Sequence, residues 1–241
     1  MRIATWNCYR GSCLERAADL APLGPDIAVL QECARPESPR TEGRYAWFGV
    51  NARHGVGIVA RSPYQVTAGP LNSTLDHSAY PAIVSGPTRF HILAIWALRR
   101  PSYVRAILDA LDAYAGFLRA TPSVVVGDFN CFAHWRGAAP SKNHAELARR
   151  LSQDFHLVSA YHNAPGYDPD VPERPTHFWQ WSERNPFHID YCFVPADWKD
   201  FIRSVYVGPF SEQHWRSDHR PLVVDIGLPG SIVAVSSRRD R

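Results

Sequence analysis

The sequence contains many short strand-like runs and few helical patterns, and this proportion limits the folds that the chain can adopt. Three segments show helical periodicity: Leu14–Leu20, Val104–Leu118 and Ala145–Leu151. About twelve runs rich in Ile, Val, Phe, Tyr and Trp, bounded by Gly, Pro, Asn and Asp, are predicted strands: Arg2–Cys8, Ile27–Gln31, Trp47–Val50, Gly57–Ala60, Ala82–Ser85, Phe90–Ala97, Ser123–Val126, Leu157–Ala160, His177–Trp181, His188–Val194, Ile202–Val207 and Leu222–Ile226. So many strands do not fit one doubly wound sheet, and the sequence predicts an α/β fold of two packed sheets with helices outside.

Neither a Gly/Ser-rich linker nor a block of like charges divides the chain, so we expect a single domain. We place it at residues 1–228, followed by a polar, basic and partly flexible C-terminal tail at residues 229–241. The segment Asn163–Pro175 is rich in proline and glycine, and we expect it to form a surface loop near the functional site.

Composition narrows the class of protein. Hydrophobic residues make up 45% of the 241 residues and charged residues 20%, enough to bury a sizeable core, and the net charge is only +3. The five cysteines are odd in number and lack CxxC spacing, which argues against a disulfide framework and a zinc knuckle and favours a reducing compartment. No apolar run approaches the roughly 18 residues of a membrane span, and the N-terminus lacks signal-peptide architecture, so we expect a cytoplasmic protein without membrane contact.

The segment Val124–Asn130 carries the clearest local signal. An apolar strand reaches Gly127, and an acid and an amide, Asp128 and Asn130, follow two positions apart. A carboxylate can take a proton from water, and an amide can hold that water or a phosphoryl oxygen. An ordinary β-turn has the same residue types and remains an open interpretation.

Four further segments end a strand, or interrupt one, with a polar group. Asp190 lies in an otherwise apolar strand, where an unpaired charge is costly, and the His219 imidazole is its expected partner. Asp218 precedes His219, while Asn7 and Glu32 close the first two strands. Strand ends in α/β folds gather in one crevice, and hard oxygen ligands select Mg²⁺ or Mn²⁺ over zinc.

The order Thr5-Trp6-Asn7, Gln31-Glu32, Gly127–Asn130, Ile189–Tyr191 and Ser217–His219 resembles the endonuclease/exonuclease/phosphatase superfamily, in particular its exonuclease III-like bacterial branch. The resemblance runs through nearly the whole chain. It implies a four-layered α/β sandwich, two packed mixed β-sheets flanked by helices, with the site at one edge of the sheets.

The same resemblance implies roles for the polar residues. Glu32 resembles the metal-binding glutamate, with Asn7 beside it and Asp218 as a second carboxylate near the metal. Asp128 resembles the group that aligns or deprotonates the attacking water, with Asn130 as its neighbour. His219 resembles the histidine that contacts the scissile phosphate, and Asp190 resembles the residue that orients it.

Two positions depart from the family pattern. Trp96 stands at about the position where many members have His or Tyr, and an indole donates one hydrogen bond but cannot shuttle protons. Tyr9 stands where repair nucleases often have an acidic metal ligand, which favours one metal ion over two.

These features predict a Mg²⁺- or Mn²⁺-dependent hydrolase, and the first hypothesis is a monomeric nuclease that acts on DNA or RNA, with DNA favoured. A phosphatase or phosphodiesterase acting on a small phosphorylated molecule is an alternative, because the core residues serve both. A non-catalytic nucleic-acid-binding module is a third, motivated by Trp96. Four tryptophans at the expected rim could stack on bases or pack in the core. Core packing is favoured for Trp181, and both interpretations stay open for Trp135, Trp179 and Trp215. Four of the cysteines are expected to be small buried hydrophobes: Cys8, Cys33, Cys131 and Cys192.

Overall fold

The fold consists of two six-stranded sheets packed face to face. The computed structural model describes residues 1–37, 43–73, 75, 77–98, 102–132, 144–212 and 215–229. Its strands are β1 (Arg2–Asn7), β2 (Ile27–Cys33), β3 (Tyr45–Asn51), β4 (His54–Ala60), β5 (Gln65–Ala68), β6 (Ala79–Ser85), β7 (Phe90–Trp96), β8 (Ser123–Asp128), β9 (Leu157–Ser159), β10 (His177–Phe178), β11 (Pro186–Phe187), β12 (Asp190–Pro195), β13 (Ile202–Val207) and β14 (Leu222–Ile226). The α-helices are α1 (Cys13–Asp19), α2 (Tyr103–Ala113), α3 (Ala115–Arg119) and α4 (His144–Phe155).

Each large sheet is mixed and contains one parallel pair. The first has the order β13-β14-β1-β2-β4-β3, with β1 and β2 parallel, and the second has the order β5-β6-β7-β8-β12-β9, with β7 and β8 parallel. Helix α1 connects the first parallel pair, and α2 with α3 connects the second. The ends of β1 and β8 meet at one edge of the sandwich, where Asn7 contacts Asp128. Strands β14 and β12 run antiparallel to β1 and β8, so they begin where those strands end.

Three apolar clusters hold these layers together. The largest lies between the sheets and includes Ile3, Ile92 and Val126. A second packs α2 and α4 on the outer face of the second sheet, and a third, built around Trp6, packs α1 on the outer face of the first. The predicted four-layered α/β sandwich is therefore confirmed. No helix of the described segments is long and apolar enough to cross a membrane.

The predicted elements agree with the structure except at a few places. Each predicted strand run contains a strand, but β5 and β11 were not predicted. Strand β5 is an edge strand with a single buried residue, and β11 has only two residues. The predicted helix Val104–Leu118 is divided at Tyr114, which ends α2 at φ −99° and ψ 13°. The predicted strand His177–Trp181 stops at Phe178, because Gln180 and Trp181 adopt left-handed backbone angles of φ 53° and 58°.

The cysteine prediction is confirmed. All five cysteines are buried and none forms a disulfide: Cys8, Cys13, Cys33, Cys131 and Cys192. The loop Asn163–Pro175 lies at the surface, where several of its residues are exposed. The predicted tail falls, apart from Pro229, outside the described residues.

Candidate active site

Asn7, at the end of β1, links the two sheets. Its side-chain Nδ2 donates to Glu32 Oε1 at 3.0 Å, in β2 of the same sheet, and to Asp128 Oδ2 at 3.1 Å, at the end of β8. Asn7 is 2% exposed, whereas the Glu32 carboxylate is half-buried. The two carboxylates thus reach one amide from opposite sheets.

Glu32 takes part in this contact from an irregular backbone position. The pairing of β2 with β4 shifts register between Leu30 and Cys33, and Glu32 lies in this irregularity at φ 60°. Residues other than glycine and asparagine are uncommon in this left-handed region.

Asp128 occupies the centre of the crevice. It pairs in register with Trp96 of β7 on one side and with Asp190 of β12 on the other. The preceding Gly127 allows a close approach of β7, because a Cβ there would lie 2.0 Å from the carbonyl oxygen of Ile95. The sheet can therefore bring Asp128 tightly against its neighbours only with glycine at this position.

Asn130 binds Asp128 although the strand does not continue to it. Strand β8 ends at Asp128, and Asn130 turns back at φ 49°, so that its backbone N–H donates to Asp128 Oδ1 at 2.9 Å and its Nδ2 to Asp128 Oδ2 at 3.1 Å. The Nδ2 also donates to the carbonyl of Ala97 at 3.1 Å. The turn therefore lets Asn130 hold the Asp128 carboxylate through two hydrogen bonds.

The predicted pairing of Asp190 with His219 is present. His219 Nδ1 donates to Asp190 Oδ2 at 2.9 Å, and both side chains are almost fully buried. The backbone N–H groups of Ile189 and Asp190 both donate to Thr176 Oγ1 at 3.1 Å, which fixes the start of β12. His219 Nε2 then lies 4.0 Å from Asp128 Oδ2, so it faces the centre of the crevice.

The loop that carries His219 is held by three buried residues. Ser217 Oγ donates to the Asn7 carbonyl at 2.7 Å and accepts from the His219 N–H at 3.0 Å. Trp6 Nε1 donates to the His219 carbonyl at 3.3 Å. The guanidinium of Arg220, which is 1% exposed, donates to the carbonyls of four residues: Pro209, Phe210, Ser217 and His219.

Burial and the neighbouring charges change the acidity of the two central groups. Burial raises the pKa of Asp128 to about 7, against the opposing effects of the His219 charge and the Asn7 hydrogen bond. For His219, burial alone would lower the pKa, but the charges of Asp190 and Asp128 and the hydrogen bond to Asp190 raise it to about 10. His219 is accordingly cationic at neutral pH, and Asp128 is a weaker acid, hence a stronger base, than an exposed aspartate.

Asp218 lies beside His177 and His219. His177 Nε2 lies 3.4 Å from Asp218 Oδ2, and the rings of His177 and His219 are 4.4 Å apart between centroids. Burial would raise the pKa of Asp218, but the His177 hydrogen bond and the His219 charge outweigh it and lower that pKa.

Among the described His, Cys, Asp and Glu side chains, two groups of three hold their ligand atoms within 4.8 Å of one another. They are Asp128, Asp190 and His219, and His177, Asp218 and His219. Glu32 belongs to neither group. The structure thus joins six of the seven predicted site residues through direct contacts, and Asp218 lies beside them next to His219.

The two positions that depart from the family pattern both lie at the crevice. Trp96 is half-buried, and it shares with Ile92 and Ala94 the face of β7 that meets the core between the sheets. Tyr9 is 40% exposed, and its ring lies 5.7 Å from that of Trp181.

The expectation of a core position for Trp181 is wrong. Trp181 is 45% exposed and Trp179 is 55% exposed, because the left-handed turn at Gln180 follows directly after β10. Trp215 is 2% exposed and packs against Trp6 at 5.6 Å between centroids, so it belongs to the core. Trp135 lies outside the described residues.

Sequence reasoning did not find the supporting roles of Thr176, Ser217 and Arg220. The only available signal was position, since Ser217 and Arg220 flank Asp218 and His219, and Thr176 precedes His177. Their hydrogen bonds go mainly to backbone groups of distant segments, and residue type does not reveal such partners.

The geometry agrees with comparisons to known proteins. A family profile described as the Endonuclease/Exonuclease/phosphatase family matches residues 4–219. Among solved structures, the 3′ phosphatase NExo from Neisseria, bound to product DNA hairpin, aligns with a TM-score of 0.67 at 21% identity over 95% of this chain and 100% of that chain. An AP endonuclease from Archaeoglobus fulgidus gives 0.65 at 18% identity over 95% and 100%, and the AP endonuclease LMAP from Leishmania major gives 0.67 at 14% over 95% and 88%.

At these identities the solved structures show a shared fold. No curated protein matches the sequence. The family profile, in contrast, extends over most of the 241 residues and includes all seven predicted site residues, from Asn7 to His219. This chain therefore belongs to the endonuclease/exonuclease/phosphatase family.

Proposed function

We propose that this protein is a divalent-metal-dependent nuclease that hydrolyses phosphodiester bonds of nucleic acids, with DNA as the preferred substrate. One observation carries the proposal. A buried carboxylate with a pKa of about 7, Asp128, faces the cationic His219 imidazole at 4.0 Å and contacts the amides of Asn7 and Asn130. This arrangement offers an acceptor for a proton of water beside a fixed positive charge for a phosphate.

Glu32 and Asn7 fit a hard divalent ion. Glu32 forms no ion pair with Lys or Arg within the described residues, and its Oε1 accepts the hydrogen bond from Asn7 Nδ2. Oxygen donors of this kind suit Mg²⁺ or Mn²⁺. Asp218 supplies a further carboxylate near His219. When bound, such an ion neutralises a phosphoryl oxygen and lowers the pKa of water.

The protein groups would divide the remaining tasks. Asp128 aligns the attacking water and takes its proton, while Asn130 keeps the carboxylate oriented. His219, held by Asp190, contacts a non-bridging oxygen of the scissile phosphate as a cation. Trp96, beside Asp128, can donate a hydrogen bond, but its indole N–H is too weak an acid to give up its proton, so the leaving oxygen takes its proton from water.

An exposed aromatic surface near the crevice favours a nucleic-acid substrate. It consists of Tyr9, Trp179 and Trp181, and the guanidinium of Arg10 lies 5.1 Å from the Tyr9 ring centroid. Aromatic faces stack on unpaired bases, and cations bind the backbone. The structural relatives named as DNA-bound phosphatase and AP endonucleases support the same substrate class.

The free, buried cysteines support a reducing compartment such as the cytoplasm. We further infer a monomer, which size-exclusion chromatography with light scattering tests: a dimer mass would contradict it.

The activity is tested with purified full-length protein in Mg²⁺, Mn²⁺ or EDTA. Supercoiled plasmid, single-stranded DNA, duplex DNA with a 3′ phosphate, RNA and small phosphoesters form the substrate panel. We expect metal-dependent cleavage of DNA that Asp128→Asn abolishes, while Asp225→Asn, at the surface ion pair with Arg2, leaves it intact. Turnover of small phosphoesters alone would contradict the nuclease, and DNA binding without turnover in any metal would indicate a binding module.

A further inference from the structure

Two exposed aromatic side chains lie beside the polar residues of the crevice. Tyr9 is 40% exposed and Trp181 is 45% exposed. The backbone N–H of Tyr9 donates to Asn7 Oδ1 at 3.3 Å, and the Nδ2 of the same Asn7 side chain contacts both Glu32 and Asp128. The two rings therefore lie at the rim of the crevice, next to the groups that act on the scissile phosphate.

Tyr9 and Trp181 form an aromatic corner. Their ring centroids are 5.7 Å apart, and the ring planes meet at 84°. In this edge-to-face arrangement, a flat ligand that stacks on one ring can contact the other ring with its edge. Both rings are exposed, so such a ligand can reach the corner from solvent.

The backbone holds both rings in place. Tyr9 and Trp181 adopt left-handed angles, φ 44° and φ 58°, which are uncommon for bulky residues. The backbone N–H that follows Tyr9 donates to the Glu32 carbonyl at 3.1 Å, and the Trp179 N–H donates to the Asn185 carbonyl at 3.0 Å across the turn that carries Trp181. Unfavourable backbone angles that hydrogen bonds maintain are typical of functional sites.

A cation lies against the aromatic corner. The guanidinium of Arg10 is 5.1 Å from the Tyr9 ring centroid, and this exposed arginine forms no salt bridge with a described carboxylate. Proteins bind single-stranded nucleic acid with this combination, in which aromatic rings stack on bases and cations contact the backbone. A base inside a duplex is already stacked on its neighbours, so a base must be unpaired to stack on Tyr9 or Trp181.

We infer that Tyr9 and Trp181 bind the unpaired base of a nucleotide adjacent to the scissile phosphate, so that the enzyme cleaves single strands in preference to intact duplex. The base stacks on one ring and contacts the other, while Arg10 binds a phosphate of the same strand. The inference rests on the proposed nuclease function for its effect on cleavage, but base binding itself requires no turnover.

Fluorescence anisotropy of labelled oligonucleotides, with full-length protein in EDTA, tests the binding step. One sequence is presented as a single strand and as a perfect duplex, and an abasic strand of equal length supplies the same phosphates without bases. The single strand should bind at least about tenfold more tightly than the abasic strand or the duplex, because only it offers unpaired bases.

Variants assign this difference to the aromatic corner. Tyr9→Ala and Trp181→Ala should each weaken single-strand binding at least about fivefold, whereas Tyr9→Phe and Trp181→Phe keep a flat ring and should retain most of the affinity. The matched control is Phe201→Ala, which removes an exposed ring next to Gly227, beyond the far end of β14. Equal binding of the single strand and the abasic strand would overturn the inference even if an alanine variant failed to fold. Unchanged affinity in both folded alanine variants would overturn it as well.

Cleavage in Mn²⁺ tests the preference on the single strand and the perfect duplex of the same sequence. The wild type should have the higher kcat/KM on the single strand, and Trp181→Ala should lower the ratio of the two values at least about fivefold. A higher kcat/KM on the duplex, or an unchanged ratio in Trp181→Ala, would refute the inference and leave the nuclease intact. Base-dependent binding in EDTA without cleavage in any metal would instead refute the nuclease and retain the base site.

Discussion

Replacing Asp190 by Asn should remove the charge that keeps His219 protonated while preserving the shape of the pair. Asn can still accept the hydrogen bond that His219 Nδ1 donates to Asp190 Oδ2 at 2.9 Å. At this distance, a full ion pair with an effective dielectric constant of about 20 is worth about 6 kcal/mol, equivalent to about 4 pH units. Because Asp128 remains nearby, we expect the His219 pKa to fall by at least about 2 pH units from its value of about 10.

The same substitution changes how stability depends on pH. The pKa of His219 is raised in the folded protein, from 6.5 to about 10, a difference of about 3.5 pH units or about 5 kcal/mol. A raised pKa stabilises the fold fully below the unfolded value and loses this effect as pH rises through the folded value. The wild type should therefore lose stability between about pH 6.5 and 10, and Asp190→Asn should lose much less.

Ring ¹⁵N chemical shifts of His219, followed through a pH titration of the metal-free protein, measure the pKa directly. Urea unfolding at pH 6.5 and pH 10 measures the linked stability. Asp225→Asn, which makes the same substitution at a surface ion pair, serves as the control. An unchanged His219 pKa in Asp190→Asn would refute the reasoning. Catalysis should fall while Mn²⁺ affinity stays constant, because Asp190 acts through the imidazole.

Three further predictions concern other parts of the site. Glu32→Gln should reduce Mn²⁺ affinity at least tenfold in isothermal calorimetry with little change in melting temperature, since the amide keeps the shape but not the charge; unchanged affinity would remove Glu32 from the ligand set. Trp96→His introduces a titrating group beside Asp128 and should alter the pH–rate profile, whereas a large loss of melting temperature with an unaltered profile would identify Trp96 as structural. Arg220→Lys should lower the free energy of unfolding by about 2–4 kcal/mol, because an ammonium cannot reach four carbonyls at once. Urea unfolding measures this loss against an Arg203→Lys control. Equal stability of the two variants would contradict the stabilising role of the Arg220–carbonyl hydrogen bonds.

The sequence predicted the sheets and the polar strand ends because both depend on local patterns. Nearly continuous buried runs form β1 and β8, and the polar residues that close them, Asn7 and Asp128, lie at the edge of the sandwich. The pairing of Asp190 with His219 followed from the cost of an isolated buried charge, which is independent of the exact fold.

Features that depend on distant backbone segments were beyond the reach of such patterns. The turn at Gln180 placed Trp181 at the surface, and nothing in its residue type indicates left-handed angles. The position of Asp218 beside His177 depends on the bridge that joins His177 to His219 across about forty residues. Arg220 reads as a surface cation in the sequence, but loops on either side bring carbonyl groups to it.

The backbone at Glu32 implies that this enzyme gives up stability for its chemistry. Glu32 and Asn130 both adopt left-handed angles, φ 60° and φ 49°, and the conformation is unfavourable for glutamate by about 1–2 kcal/mol, whereas asparagine tolerates it. Replacing Glu32 with asparagine would relieve that strain and remove the carboxylate together. An inactive Glu32→Asn protein should therefore melt at a higher temperature than the active one, and selection for thermostability alone would tend to silence the enzyme.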